Sequence, residues 1–351
     1  MKVLLHNIGA LFFSVLLFAA ATASSAVSQT NQAALPPTRT VSRPAADRNK
    51  YAVIISGASG EAAYAKQFAQ WTVALRAALV GRFGFAEDQV KLLTETPADS
   101  TAVPAKADEV KRVFGSLRTE LKSENLLFIF LIGHGAFDGK EAKFNLVGPD
   151  LSAGEYNSLL SSLPTRSIVM FDMTSASGEF VKPLAATGRI VITATRSGQE
   201  QNATRFTEFL IAALGATDAD TDQDGRISVL EAFTYANRLT ANFYTRAGRL
   251  ATEHALLEDN GDGVGHQKAE GGDGLLARAT YIDSRSQEEA AANVAVAKLR
   301  RERTRLESEI AQLIARKREL PELEYESALE RLFIELAKTN RALKAPVMSN
   351  E

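Results

Sequence analysis

The feature of this sequence that most restricts its fold is a set of short apolar runs, each closed by polar residues or glycine. The longest run after the N-terminus, Leu126 to Ile132, holds seven apolar residues and stops at Gly133. Runs of this length bounded by turn signals are typical of strands that are covered on both faces. Runs of the same kind begin at Tyr51, Val90, Ser167 and Arg189. We therefore predict a buried strand over each of these runs.

Patterns with helical spacing separate the runs. Apolar residues on one face of a helix follow the first run: Tyr64, Phe68, Trp71, Leu75 and Leu79. Asp108 to Leu121 reads as a second amphipathic helix. Strands that alternate with helices predict an α/β fold, in which helices cover both faces of a mostly parallel sheet in a three-layer αβα arrangement. In such sheets the functional residues lie in loops at the carboxyl ends of the strands. We therefore expect a functional site in the loops after Ile132 and Phe171.

Composition excludes several classes of function. The chain contains no cysteine, which rules out disulfides, thiolate metal sites, iron–sulfur clusters and a thiol nucleophile. Forty Lys and Arg residues against 42 Asp and Glu give a net charge of −2, so no overall basic field exists to hold nucleic acid. The glycine-rich turn from Ser56 to Gly60 follows a strand but matches no complete phosphate-binding fingerprint. We therefore expect neither a nucleic-acid partner nor a nucleotide cofactor.

The N-terminus has the pattern of an export signal. Lys2 precedes a mainly apolar stretch, and Ala21-Thr22-Ala23 is a small-x-small sequence that signal peptidase can cleave. We predict a cleaved signal peptide over residues 1–23, a secreted or periplasmic protein, and no membrane span after cleavage; an uncleaved anchor is the alternative. Residues 24–49 are rich in Ser, Thr, Ala and Pro and predict a flexible lead-in.

An acidic loop near residue 220 carries the metal-binding pattern of the chain. Twelve residues with a predicted helix on each side fit the EF-hand calcium loop at its diagnostic positions, which are Asp220, Asp222, Asp224, Gly225, Arg226, Ser228 and Glu231. The three aspartates supply carboxylate oxygens, the arginine a backbone carbonyl, and the serine a direct or water-mediated ligand. The glutamate closes the shell with two oxygens, and the glycine permits the sharp turn. We predict Ca²⁺ as the cofactor.

A second acidic turn, Glu258 to Gly263, resembles only the first half of such a loop. Its twelfth position is Ala269, so the closing carboxylate is missing. The turn is either an ordinary acidic turn or a non-standard site closed by Glu270 or Asp273. His254 and His266 flank it, and two histidines are too few to indicate a zinc site. We treat residues 216–281 as one region that contains the EF-hand and this turn.

The last part of the chain is rich in Glu, Arg, Lys, Ala and Leu. Leucines recur every seven residues at Leu299, Leu306, Leu313 and Leu320, although Arg303 and Lys317 interrupt the repeat. Pro321 then ends the pattern, and a second leucine-rich stretch follows it. We predict a C-terminal α-helical hairpin or coiled coil over residues 284–345, and we expect it to offer a surface for self-association.

Two short motifs at strand ends indicate a family. The run that ends at Ile132 leads into His134-Gly135, and a later run leads into Ser175-Ala176-Ser177-Gly178. Over roughly residues 51–214 this pattern resembles the caspase–legumain fold of cysteine peptidases. In that family a His-Gly motif carries the general base and a Cys-x-Ser-Gly motif carries the nucleophile. Here Ser175 stands in the cysteine's place.

The resemblance implies a caspase-like domain over residues 50–215, with His134 as the general base and Ser175 at the nucleophile position. A serine hydroxyl needs an adjacent base and usually a third group that orients the base. Asp172 and Asp138 lie nearby in sequence, but the sequence brings neither to His134. We therefore predict a catalytically silent pseudo-peptidase domain whose groove binds an extended peptide or a partner protein. The alternative is an active peptidase or hydrolase that uses Ser175 with His134 as base.

Overall fold

The computed structural model describes residues 46–222, 224, 226–283 and 320–344, together with residues 298–299, 302–303, 305–307, 309–310 and 313. The predicted signal peptide over residues 1–23 and the lead-in up to residue 45 lie outside the described residues. The start of the predicted hairpin, residues 284–297, and Gly225 of the calcium loop also lie outside them. No helix within the described ranges has the length and apolar character that crossing a bilayer requires.

Within the described ranges, ten strands form two sheets. They are β1 (Lys50–Ser56), β2 (Val90–Thr94), β3 (Ala102–Pro104), β4 (Leu126–Ile132), β5 (Gly135–Phe137), β6 (Ala142–Phe144), β7 (Leu151–Ser152), β8 (Ile168–Asp172), β9 (Arg189–Thr193) and β10 (Leu256–Glu258). The larger sheet has the order β10-β9-β8-β4-β1-β2-β3, and each pair of neighbours is parallel except β10 with β9. The predicted mostly parallel sheet is confirmed.

Helices cover both faces of this sheet. They are α1 (Ala62–Ala77), α2 (Ala107–Glu120), α3 (Ala153–Ser161), α4 (Val181–Leu184), α5 (Phe206–Gly215), α6 (Val229–Arg246) and α7 (Leu275–Ala279), and α8 (Glu322–Lys344) follows near the C-terminus. The alternation of side chains along β4 explains the layers: Phe128 and Phe130 pack on the face shared with α1, α5 and α6, whereas Leu127 and Ile129 pack on the face shared with α2 and α3. The chain thus has a three-layer α/β arrangement.

The region after residue 215 belongs to the same core as the strands. Phe206 of α5 and Phe233 of α6 lie 6.4 Å apart between ring centroids, and both are buried against the central sheet. Leu257 of β10 is fully buried and pairs with Ile192 of β9. The helices on either side of the acidic loop are therefore held by the sheet and by each other.

A small antiparallel sheet, β5-β6-β7, covers the carboxyl end of β4. Its first strand begins at Gly135, the residue after His134, so the chain turns back over the sheet edge as soon as β4 ends. Asn145, directly after β6, donates its N–H to His134 O at 3.0 Å, so this sheet contacts the His-Gly loop.

The described residues of the C-terminal region form a separate apolar cluster. Leu306 and Ile310 pack against Leu332 of α8, and Leu313, Leu329 and Leu336 surround them. These contacts join the two leucine-rich stretches on either side of Pro321.

Candidate functional site

The two loops predicted to hold the peptidase-like residues do meet at the carboxyl ends of β4 and β8. Ser175 is only 3% exposed, and its hydroxyl bonds to the backbone of Gly135 in both directions. The Ser175 Oγ accepts from Gly135 N at 3.1 Å and donates to Gly135 O at 2.9 Å. The hydroxyl therefore links the two loops.

His134 lies beside this contact without sharing it. Its half-buried ring packs edge-on against two aromatic residues of α1, with centroids 4.7 Å from Tyr64 and 5.2 Å from Phe68. Within the described part of the chain, the imidazole makes no hydrogen bond to Ser175 or to any carboxylate. The structure brings the two predicted residues into neighbouring loops but not into a base–nucleophile pair.

The two aspartates near His134 in sequence are also engaged elsewhere. Asp172 is fully buried, and its Oδ1 accepts from the Thr174 hydroxyl at 2.6 Å and from Thr174 N at 3.2 Å. Asp138 is exposed and accepts from the backbone N–H groups of Lys140 and Glu141. Neither carboxylate orients the imidazole. Burial raises the pKa of Asp172 to about 7, and no described residue bonds to its Oδ2.

The Ser-Gly pair that follows the nucleophile position packs the turn onto the end of β9. Ser177 Oγ accepts from Ala194 N and Thr195 N, each at 3.1 Å. A Cβ added at Gly178 would lie 2.2 Å from the backbone carbon of Arg196, so only glycine fits there. Ala176, between Ser175 and Ser177, has a φ of 58°, in the left-handed region that non-glycine residues rarely adopt. This part of the motif has a structural role that is independent of catalysis.

The acidic loop between α5 and α6 gathers the three predicted aspartates. One carboxylate oxygen from each of Asp220, Asp222 and Asp224 lies within 4.8 Å of the others. Burial, together with the negative charges of Asp224 and Glu231, raises the pKa of Asp222 to about 6. A cation would relieve this crowding of carboxylates, so the three aspartates could hold a metal ion.

Glu231, the predicted closing ligand, is the third residue of α6 and is 8% exposed. Its Oε1 accepts from Thr221 N, Thr221 Oγ1 and Asp222 N at 2.8, 3.0 and 3.3 Å. Its Oε2 accepts from Ser228 N and Ser228 Oγ at 3.0 and 2.8 Å. Ser228 caps the helix in return, since its Oγ accepts from Glu231 N. The glutamate thus ties the start of the loop to the start of α6.

Two arginines contact the aspartate cluster. Arg226 N donates to Asp224 Oδ1 at 2.8 Å, and its guanidinium lies 3.1 Å from Asp224 Oδ2 while stacking on the Tyr281 ring. Arg303 comes from the leucine-rich region, and its guanidinium donates to Asp222 O at 2.6 Å and lies 3.4 Å from Asp222 Oδ2. Sequence reasoning missed this role of Arg303, although its interruption of the leucine repeat was the available signal.

We expect the Arg303 contact to stabilise the chain in the absence of calcium. Arg303→Met keeps an apolar stem but removes the donors to Asp222, so it should lower the free energy of unfolding. We expect a loss of only about 1–2 kcal/mol, because the Asp222 side chain is partly exposed to water. Urea unfolding in the presence of a chelator measures the change. Arg305→Met is the matched control, since Arg305 is exposed and its ion pairs within the described residues are with Glu302 and Glu309. An equal effect of the two substitutions would contradict the contact.

The carboxylates of the second acidic turn and of Asp273 accept hydrogen bonds from nearby backbone N–H groups. Asp259 accepts from Gly274 N and Ala277 N, and Asp273 accepts from Asp259 N and contacts His266 Nδ1 at 2.7 Å. Glu258 is fully buried and accepts from Gly261 N at 2.6 Å. These contacts use the carboxylates to hold the loop, and the metal-like carboxylate cluster of the described residues is the one at Asp220.

A further polar cluster adjoins the Ser175 turn. Glu200 O accepts from Ala176 N at 2.8 Å, and Glu200 Oε1 lies 2.5 Å from His254 Nδ1. His254 N also donates to Glu200 Oε2 at 3.1 Å, so these contacts tie the segment just before β10 to the loop after β9. No sequence pattern signalled this pairing, because the two residues are 54 positions apart.

No protein-family model and no curated protein matches the sequence. Among solved structures, protein GSU0716 from Geobacter sulfurreducens is similar at 13% sequence identity and a TM-score of 0.41. The match covers 60% of this chain and 92% of that protein.

Proposed function

We propose that this protein is an exported calcium-binding protein of the EF-hand type whose caspase/legumain-like domain is catalytically silent and acts in binding or scaffolding. The observation that carries the calcium assignment is the aspartate cluster of Asp220, Asp222 and Asp224, set in the twelve-residue EF-hand spacing. The helices α5 and α6 flank this loop and supply the helix–loop–helix context of the motif.

The chemistry of the loop suits a hard cation. Ca²⁺ prefers six to eight oxygen ligands, and it would neutralise the three aspartate carboxylates that lie together in this loop. Arg226 lines the loop at the position whose backbone carbonyl is the expected ligand, and Ser228 stands at the ninth position. An unpaired loop in an exported protein belongs to the weak end of the EF-hand range, with a Kd of roughly 10⁻⁴–10⁻³ M.

Calorimetric titration of the full chain with Ca²⁺ tests this assignment. We expect one ion per chain and a higher melting temperature at millimolar calcium, because binding to the folded state alone stabilises it. The double variant Asp222→Asn/Asp224→Asn should lose both effects, whereas Glu270→Gln in the second acidic turn should retain them. Absence of binding heat together with an unchanged melting temperature in the wild type would overturn the assignment.

The proposal of a silent peptidase-like domain rests on the Ser175 hydroxyl. This hydroxyl is buried and engaged with Gly135, and His134 packs against aromatic rings without a carboxylate to orient it. A serine without a base and an orienting group stays protonated at neutral pH. These contacts favour a domain that binds an extended peptide or a partner protein over one that cleaves it.

We expect a serine-directed fluorophosphonate probe to leave the wild type unlabelled, with or without calcium. Ser175→Ala should keep the fold and calcium binding. Its free energy of unfolding should fall by about 1 kcal/mol, because the hydrogen bonds to Gly135 are lost. Ser175→Cys tests whether the loop still supports a nucleophile. If the wild type cleaves a peptide library and Ser175→Ala abolishes cleavage, the protein is an active serine peptidase and the proposal is wrong.

Two further parts of the proposal concern location and assembly. Export is supported by the apolar segment that ends in Ala21-Thr22-Ala23. Self-association through the C-terminal hairpin is supported by exposed apolar residues on α8, including Phe333 at 49% and Ile334 at 47% exposure. Sedimentation of the full chain and of a variant that carries Phe333→Glu and Ile334→Glu would distinguish a dimer from a monomer.

A further inference from the structure

Arg303 joins the C-terminal segment, by which we mean the described residues from 298 to 344, to the calcium loop (Asp220 to Glu231). The described residues between 298 and 313 are helical. From this helix Arg303 Nη1 donates to Asp222 O at 2.6 Å, and Arg303 Nη2 lies 3.4 Å from Asp222 Oδ2. The arginine side chain is only 8% exposed. A buried cation from 81 positions away therefore lies against one of the predicted calcium ligands.

The guanidinium of Arg303 and a bound calcium ion would share the Asp222 carboxylate. Asp222 stands at the third position of the EF-hand spacing, where its side chain is a ligand. Two cations on one carboxylate repel each other, and solvent screens this repulsion less when one of them is buried. Each cation therefore lowers the affinity of the loop for the other.

Arg303 has a second carboxylate on its own helix. Glu307 follows it by four residues, and Glu307 Oε1 lies 3.6 Å from Arg303 Nε. This pair moves with the helix, so Arg303 keeps a counter-charge when it leaves Asp222. Separation from the calcium loop thus leaves no uncompensated buried charge on the C-terminal segment.

The packing between the C-terminal segment and the calcium loop is open. The apolar residues Leu306, Ile310 and Leu332 form a cluster that is separate from the two clusters on the faces of the main sheet. Beside them Glu307 lines a groove of about 760 Å³ together with Asp222, Glu231 and part of α6. Movement of the segment away from the loop therefore divides none of these apolar clusters.

We propose that calcium binding and the attachment of the C-terminal segment to the calcium loop oppose each other through Arg303. Calcium on Asp222 releases the arginine, which keeps Glu307, and the segment leaves the loop. This inference rests on the calcium assignment made above. Since coupling between two binding events is reciprocal, attachment of the segment weakens calcium binding by the same factor.

Calorimetric titration of the full chain with Ca²⁺ tests one side of this coupling. Arg303→Met should bind calcium about tenfold more tightly than the wild type, because the competing charge is gone. Arg305→Met is the matched control, since it removes the same charge from an exposed position two residues further along the helix. Its calcium affinity should stay within about twofold of the wild type. Circular dichroism melts of both variants establish that the fold persists.

Spin labels on the full chain test the other side. The sequence has no cysteine, so labels attach only where Ser123→Cys and Ser327→Cys introduce one; both serines are exposed. With a chelator present we expect a narrow distribution of label distances by pulsed electron resonance, and with saturating Ca²⁺ a broad one. Arg303→Met should give the broad distribution under both conditions. The wild-type comparison stays informative if Arg303→Met does not fold.

The outcomes separate this proposal from the calcium assignment. Absence of calcium binding to the wild type would overturn both. Calcium binding that leaves the label distances unchanged would overturn the coupling alone, as would an equal or weaker calcium affinity in folded Arg303→Met.

Discussion

Glu231→Gln is expected to lower calcium affinity by about two orders of magnitude, the largest loss from any single ligand of the loop. The substitution removes one negative charge and replaces a carboxylate oxygen by an amide group that repels the cation. Calcium affinity of EF-hand loops varies over many decades with ligand charge and rigidity, and the twelfth position supplies two oxygens at once. Calorimetric titration of the variant measures the loss directly.

The same substitution should destabilise the protein without calcium. The Glu231 carboxylate accepts from the backbone and hydroxyl of Thr221, from Asp222 N, and from the backbone and hydroxyl of Ser228. An amide cannot accept on both sides, so one set of donors is left unpaired in a site that is only 8% exposed. We expect a loss of about 2–3 kcal/mol in urea unfolding with a chelator present.

Glu270→Gln is the control for both measurements, because Glu270 is exposed and lies outside the loop. Normal calcium affinity in Glu231→Gln would show that this side chain is not a ligand. Normal stability in the chelator would show that its bonds to the loop do not hold the helix start.

Asp172 is expected to make the stability of the protein depend on pH. Burial raises its pKa from the ordinary 3.8 to about 7. The folded state therefore binds a proton that the unfolded state releases, and unfolding becomes easier as the pH rises from about 4 to about 7. A shift of about three pKa units corresponds to about 4 kcal/mol across this window, with no further loss from this group at higher pH.

The substitution Asp172→Asn isolates the effect because its amide oxygen can still accept from Thr174 and it carries no charge. We expect the wild type to lose stability relative to this variant between pH 4 and pH 7, as measured by urea unfolding at each pH. Asp138→Asn, at an exposed turn, should not show this trend. A stability difference between Asp172→Asn and the wild type that is constant over this range would contradict the prediction.

Local apolar periodicity was sufficient to predict most of the central sheet. The run Leu126–Ile132 is the strand β4 at the same bounds, and the runs near Tyr51, Val90, Ser167 and Arg189 each became a strand within two residues. Strands buried on both faces need continuous apolar sequence, so the pattern is visible without tertiary information. The short strands β3, β5, β6 and β7 have no such run, since each is held by its neighbours.

The edge strand β10 is an element that local sequence could not predict. Leu256–Glu258 is too short to be recognised alone, yet it pairs with β9 and places the region after residue 215 in the common core. Pairing between positions more than sixty residues apart depends on how the chain folds back, and no local pattern records it. Tertiary packing therefore places residues of this acidic region in the same core as the apolar strands.

In the candidate sites, too, some features follow from local sequence and others only from tertiary contacts. The sequence by itself determined which residues could serve as ligands at Asp220, Asp222 and Asp224, because the spacing within a short loop limits where its side chains can go. Only the tertiary structure decided what Ser175 bonds to, where His134 packs and that Arg303 reaches Asp222. The physical reason is separation: contacts within twelve residues follow from local geometry, whereas the partners of a buried hydroxyl or guanidinium come from whichever distant segment the core brings beside it.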